Sequence, residues 1–238
     1  KQSGETTVFV RYLSGRASMR AAMIDRNESY VWKGPKPRNE IDRHVFSKLR
    51  LFRKNPSSIC DDLTFLRRVS LDVTGSLPSP ELAKAFLIDK TENKRSRFID
   101  QLLNSEEYAS YWALKWADLL RVEEKTLDSK GVEKIYEWLK EKIGNGRPID
   151  KLAKDILCAT GSTYKNPPAN FYRALRSPVS RAEAVAQVFI GTRINCAKCH
   201  DHPFENVRQE DYYRFSAIFD AIDYDIIENK KKTYDRKY

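Results

Sequence analysis

The chain is poor in the residues that usually announce a small protein's class. Its 238 residues include 9 Gly, 10 Pro, 4 Cys, 3 His and 2 Met. So little Gly and Pro excludes a collagen-like or low-complexity chain, and 41% hydrophobic residues exclude disorder over most of the length. Four cysteines are too few for a disulfide scaffold, and a chain of this size buries a core without one. No apolar run approaches the ~18–20 residues of a membrane-spanning helix. The chain opens at Lys1 with neither a Met nor a signal-like apolar segment, which reads as a processed or partial chain. Beyond Met23 there is no further Met, so thioether side chains are confined to the N-terminal tenth.

The net charge of +10 invites a nucleic-acid reading, but its distribution argues against one. Residues 1–60 hold 13 Lys and Arg against 5 Asp and Glu, and residues 229–238 hold 5 against 1. Residues 61–228 carry 25 against 27, so the basic charge sits in two arms around a nearly neutral body. Aromatic residues interleaved on a basic face, the mark of single-strand binding, are not evident, and no nucleic-acid partner is expected.

Glu5–Tyr12 is β-branched and aromatic, and Ala17–Ile24 is placed to pair back on it as a hairpin. A lone hairpin is marginal in water, which suggests the last strands of a larger β-domain or an edge added to another body. Val31–Pro37 has the Pro and Gly density of a linker. From there the apolar period becomes helical, with Ile41, Val45, Phe46 and Leu49 at three- and four-residue steps. A second helix opens at Asp61-Asp62 and stops at Gly75 and Pro78, and a third is capped by Ser79 with Pro80 as its first residue. Further helices are expected over 94–104, 106–122, 131–143, 149–158, 180–193 and 209–221. The fold class is therefore mainly α, a multi-helix domain with a short N-terminal β-hairpin. The divisions are a hairpin and linker over 1–37, a helical domain over 38–222 and a basic tail over 223–238. Gly161–Tyr172 is too rich in turn residues to be helical, and reads either as a functional loop or as a connector stiffened by Pro167 and Pro168.

Four of the seven Cys and His residues fall within Cys196-Ala-Lys-Cys199-His200-Asp-His202. Cys-x-x-Cys-His is the attachment signature of a c-type haem. Two thiols at this spacing can each form a thioether to a vinyl group of one porphyrin, and the adjacent imidazole reaches the iron. Cys196 and Cys199 are the candidate thioether residues and His200 the candidate proximal ligand. Candidates for the sixth iron ligand are His44, Met19, Met23 and His202. Rival readings of the cluster are a zinc site drawing on Cys60, Cys158 or the histidines, and a redox dithiol. Cys60 and Cys158 are either a structural disulfide or two buried thiols.

The chain also resembles the planctomycete cytochrome-c-type domain of unknown function. The residues that carry the resemblance are Ile41-Asp42 with Phe46, Lys48 and Leu49, then Cys60-Asp61-Asp62 and the run from Phe65 to Pro78. They continue with Tyr111-Trp112, Lys115-Trp116, Asp118 and Arg121, then Asn166–Tyr172, and end on Cys196–Phe204. The resemblance implies one covalently attached haem c and export to the periplasm or cell surface. It also implies an Ig-like module ahead of the helices and a second conserved domain behind them. On that reading the chain is an electron carrier rather than an enzyme, with redox partner proteins or other domains of an envelope complex as its partners. A peroxidase-type haem enzyme with His44 as the distal base, or a structural envelope module with a Cys/His site, remain the alternatives. Trp112, Trp116 and Tyr172 are expected in the core rather than on a haem edge. Arg67, Arg68 and Arg121 are expected to pair with Asp72 and Asp118 inside the helical body.

Overall fold

A computed structural model describes residues 4–12, 15–24, 29–223 and 225. They form two compact units, Lys1–Asp61 and Asp62–Tyr238. Apart from one two-stranded sheet, the architecture is helical, as the apolar period predicts.

In the first unit β1 (Gly4–Tyr12) and β2 (Gly15–Met23) pair antiparallel, with Val8 opposite Met19 and Val10 opposite Ala17. Directly opposed residues share a face, so Thr6, Val8, Val10, Tyr12, Ala17, Met19 and Ala21 make one face without a charge. The other carries Glu5, Arg11 and Arg20 together with Thr7, Phe9, Ser18 and Ala22, and Glu5 is ion-paired with Lys48 of α1 (Glu40–Leu51). The apolar face is exposed. Leu13 and Ser14, expected at the turn, lie outside the described residues. The Val31–Pro37 stretch is less free than its composition predicts. Trp32 packs on Phe46 of α1 at 5.5 Å, Arg50 lies 4.5 Å over its ring, and Asn55 bonds the backbone of Val31 and Lys33. An aromatic anchor has overridden the linker chemistry. α1 starts on Asn39, whose side chain accepts from the Asp42 N–H at 2.8 Å.

The second unit begins with α2 (Asp62–Thr74), α3 (Pro80–Ile88) and α4 (Lys94–Leu103) around a small core of Leu66, Phe86, Phe98 and Leu102. Asp62 holds α4 through Lys94 at 2.5 Å and Arg95 at 2.7 Å, and those two cations keep its carboxyl below the usual range. Ser79 and Pro80 cap α3 as expected, the Ser79 hydroxyl accepting from the Leu82 N–H at 3.2 Å.

α5 (Glu106–Leu119) presents Ala109, Ala113 and Ala117 at four-residue steps, and small side chains let it lie close along α6 (Glu124–Gly144). The main core joins this pair to α7 (Ile149–Leu157), α8 (Asn170–Ala174) and α9 (Pro178–Val185) through Leu127, Ile135, Leu139, Ile156, Phe171 and Ala182. Trp116 stacks on Phe189 against the main core and Tyr172 is buried, as expected, whereas Trp112 lies at the surface, 36% exposed, with its indole N–H donating to the Val73 carbonyl. The chain ends its described helices with α10 (Gln209–Ala217).

Two expectations need correction. The stretch 161–172 is a loop only to Asn166. Pro167–Ala169 forms a 3-10 turn that runs into α8, because a proline at the first helical positions starts a helix as readily as it ends one. Nor do Arg67, Arg68 and Arg121 pair with Asp72 and Asp118. All five are exposed, and Arg121 instead adopts a left-handed φ of 56° that closes α5.

The buried ion pair lies elsewhere, between Arg173 and Asp128 at 2.7 Å, with side chains only 10% and 13% exposed. Asp128 sits within α6 at φ 54°, a kink in the helix. Its carboxylate also accepts from the Gly131 N–H and the Tyr164 hydroxyl, each at 2.8 Å. Burial alone would raise its pKa, but these donors outweigh it and hold the carboxyl low. A Cβ on Gly131 would come within 3.1 Å of the Arg173 guanidinium and 3.3 Å of the Asn170 amide oxygen, so only glycine fits without displacement.

Arg173→Leu leaves the Asp128 charge buried and uncompensated, and is expected to cost about 3–5 kcal/mol in a urea unfolding titration. Because the folded carboxyl titrates below its unfolded value, its contribution is complete above the ordinary carboxylate pKa of ~4 and is lost as pH falls through the lowered value. Between neutral pH and pH 3 the stability of the wild type should therefore fall more steeply than that of Asp128→Asn.

Candidate functional site

The Cys-x-x-Cys-His segment is delivered by an irregular end to α9. A π-turn over Ala186–Ile190 is closed by Gly191 at φ 75°, a left-handed position that favours glycine, and the Thr192 N–H reaches back to the Ala186 carbonyl at 3.0 Å. A 3-10 turn follows over Asn195–Lys198.

Cys196 lies in this turn and Cys199 caps its end, its N–H 3.5 Å from the Cys196 carbonyl, and the three-residue period of such a turn brings residues at this spacing toward the same side. Between them Ala197 points the other way. It is fully buried in a small core with Ala186, Ile194 and Tyr212, while Cys196, Cys199 and His200 are exposed. One methyl group thus anchors the turn and turns both thiols outward.

α10 fixes the other side. Gln209 and Tyr213 both donate to the Lys198 carbonyl at 3.1 Å, and Asp201 accepts from the Gln209 N–H at 3.0 Å. Beneath the turn Tyr212 is fully buried and donates to Glu183 at 2.7 Å. Burial and the Glu183 carboxylate push its phenol far above its ordinary range, so it stays a neutral donor. None of Ala197, Gln209, Tyr212, Tyr213 or Glu183 was marked by the sequence as part of the site. The amphipathic period of α10 was the one available signal, and Glu183 gave none.

The two imidazoles of the segment are set differently. His200 places Nδ1 2.8 Å from the Asp201 carbonyl, which can only accept, so Nδ1 is the donor there and Nε2 is the nitrogen left to meet a ligand. His202 uses Nδ1 to accept from the N–H groups of Phe204 and Glu205, at 3.2 and 2.9 Å, so its proton sits on Nε2 and the ring is a turn cap. Of the other residues suggested as iron ligands, His44 is exposed and 3.1 Å from Glu40, and Met19 and Met23 are exposed on β2. All three belong to the first unit.

Among the described residues no three His, Cys, Asp or Glu side chains converge on a point that could hold a metal ion. Structural zinc needs four convergent protein donors. A c-type haem brings four nitrogens of its own and asks for two outward thiols and one imidazole with a free nitrogen, the set that Cys196, Cys199 and His200 provide. Cys60 and Cys158 form no disulfide, and neither is the buried thiol expected: Cys60 is half-buried and Cys158 exposed.

Residues 40–224 match the family model PSCyt2, described as a protein of unknown function (DUF1549). No curated protein and no solved structure matches the chain.

Ala197→Leu places three extra carbons in a closed pocket and should cost about 1–3 kcal/mol. The expected signature in amide exchange is lost protection over 194–199 with α5 and α6 unchanged. Equal loss across the unit would show that Ala197 does not act locally.

Proposed function

Because the chain belongs to the PSCyt2 family, whose function is unknown, we propose from its own residues that it is a c-type cytochrome module carrying single electrons in an exported, multidomain assembly. The observation that carries this reading is the outward 3-10 turn, with both thiols on one side and His200 oriented through the Asp201 carbonyl. Cys196 and Cys199 would attach the porphyrin, and His200 Nε2 would be the proximal ligand. The backbone carbonyl on Nδ1 fixes the ring plane and raises its basicity, a lever on affinity and potential. Phe204 and Tyr213, both exposed beside the turn, offer apolar surface to a planar group.

A haem bound here would supply reversible one-electron chemistry at its iron. The protein's part is to orient that group and hold its surroundings still, and the Ala197 anchor and the two donors on Lys198 do so. The basic arms read from the sequence would steer the module toward acidic partners, an effect that salt weakens.

The test is protein made in a host that matures c-type cytochromes. The oxidised and dithionite-reduced absorption spectra and a haem-stained denaturing gel should show a sharp reduced α band and colour retained through denaturation. The Cys196→Ser, Cys199→Ser double variant should lose the colour. His200→Ala should keep it with a changed spectrum. Colourless wild-type protein with both thiols unmodified by mass overturns the reading.

A further inference from the structure

The segment 160–170 is held more firmly than a connector requires. Asn170, fully buried, donates to the carbonyls of Thr163 and Pro167 at 2.8 and 2.9 Å. Asn166 donates to the Thr160 carbonyl at 2.8 Å, and Tyr164 is tied to Asp128, whose kinked backbone the Arg173 pair sustains. The Asn170 amide oxygen has no partner among the described residues. It lies 3.3 Å from where a Cβ on Gly131 would sit, a close approach that glycine allows. Such satisfied and strained polar construction is what holds a surface in one shape.

The surface so held walls a cleft of about 730 Å³, within the range of small-molecule sites. Asn166 and Pro168 form that wall, and the C-terminal part of α6, the 145–148 connection and the last turn of α7 supply the others. Three cations line the cleft, Lys142, Arg147 and Lys154, against one carboxylate, Asp155. Arg147 is neutralised by Asp155 at 2.9 Å and Lys142 by Glu141 at 2.9 Å, whereas Lys154 has no ion pair among the described residues. Trp138 gives the lining an aromatic surface and Cys158 an exposed thiol. None of these residues belongs to the Cys196–His200 turn.

We propose that this cleft is a binding site for a small planar polyanion, an aromatic ring bearing two or more carboxylates. Its ring would lie on Trp138, and its charges would meet Lys154 and the Lys142 and Arg147 pairs. The pre-shaped wall at Asn166 lowers the ordering cost of binding, and Lys154, the cation left without an ion pair among the described residues, favours a negative ligand. The site stands whether or not the chain carries a haem.

Cys158 reports on occupancy directly. Trimesate at ~1 mM should slow carbamidomethylation of Cys158, followed by peptide mass, by at least about fivefold and leave Cys60 unchanged. Sodium chloride at matched ionic strength should give no protection. Lys154→Ala should cut the protection to less than about twofold, and Lys154→Arg should restore it. Lys154 is exposed, and circular dichroism checks that the variants keep the wild-type helix content. Absent protection, equal protection by chloride, or protection untouched by Lys154→Ala each overturns the assignment.

Discussion

The larger unit turns on one carboxylate. Asp128 interrupts α6 at a backbone angle that a non-glycine residue adopts only under constraint, and it accepts from a guanidinium, a phenol and a backbone N–H. Those three donors come from separate places: Arg173 from α8, Tyr164 from the loop before it, and Gly131 from α6 itself. A charge buried this deeply is tolerable only with all its partners present, which makes the arrangement all-or-none. The kink therefore fixes the loop, the loop fixes α8, and α8 brings Phe171 and Tyr172 into the main core. Arg181 plays a related part further on. It is 1% exposed and donates to the carbonyls of Leu175, Phe219 and Ile222, tying α9 to the segment that follows α10.

The Cys196–Cys199 turn follows a different logic, in which helix period rather than charge sets the chemistry. An α-helix would place residues three apart about 60° from each other around the axis, whereas a 3-10 turn superposes them. The Cys-x-x-Cys spacing then means two thiols on one line, and the residue between them that turns inward must be small and apolar. Ala197 satisfies both demands. The irregularity upstream, a π-turn closed by Gly191, rotates the chain out of the α-helical phase of α9 before the 3-10 turn begins. The donors that complete the site come from α10, so its geometry depends on helix-to-helix packing and not on the segment alone.

Much of this was legible because the signals were local. Helical periods, the Ser79-Pro80 start, the end of α2 and the pairing of a β-branched strand with the short run after it all act within a few residues. The Cys-x-x-Cys-His segment was legible as chemistry for the same reason, with two thiols and an imidazole inside five residues. The misreadings involve partners distant in sequence. Arg173 finds Asp128 45 residues away, and Tyr164 finds it 36 away. Nothing local distinguishes those side chains from Arg67 or Asp72, which stay in water. Pro167 and Pro168 misled because proline favours a turn and a helix start by the same fixed φ.

The two units also differ in how their order is secured. The second closes its own cores. In the first, α1 has no buried residue, Ile41, Val45 and Leu51 are exposed, and the ribbon's apolar face is open. α1 draws its stability from its ends instead: Asn39 as cap, Glu40 and Asp42 in the first turn, and Lys48 and Arg50 in the last, where they oppose the helix dipole. The Trp32–Phe46 contact and the Glu5–Lys48 pair then hold the ribbon and the 31–37 stretch to it. The family match begins at residue 40, whereas the packing boundary falls after Asp61. α1 is thus common property, part of the family by sequence and of the ribbon's unit by contact. An element with that double membership and an uncovered apolar stripe gains most from any neighbour that buries it, because Ile41, Val45 and Leu51 would add burial energy to a helix now held mainly by its caps.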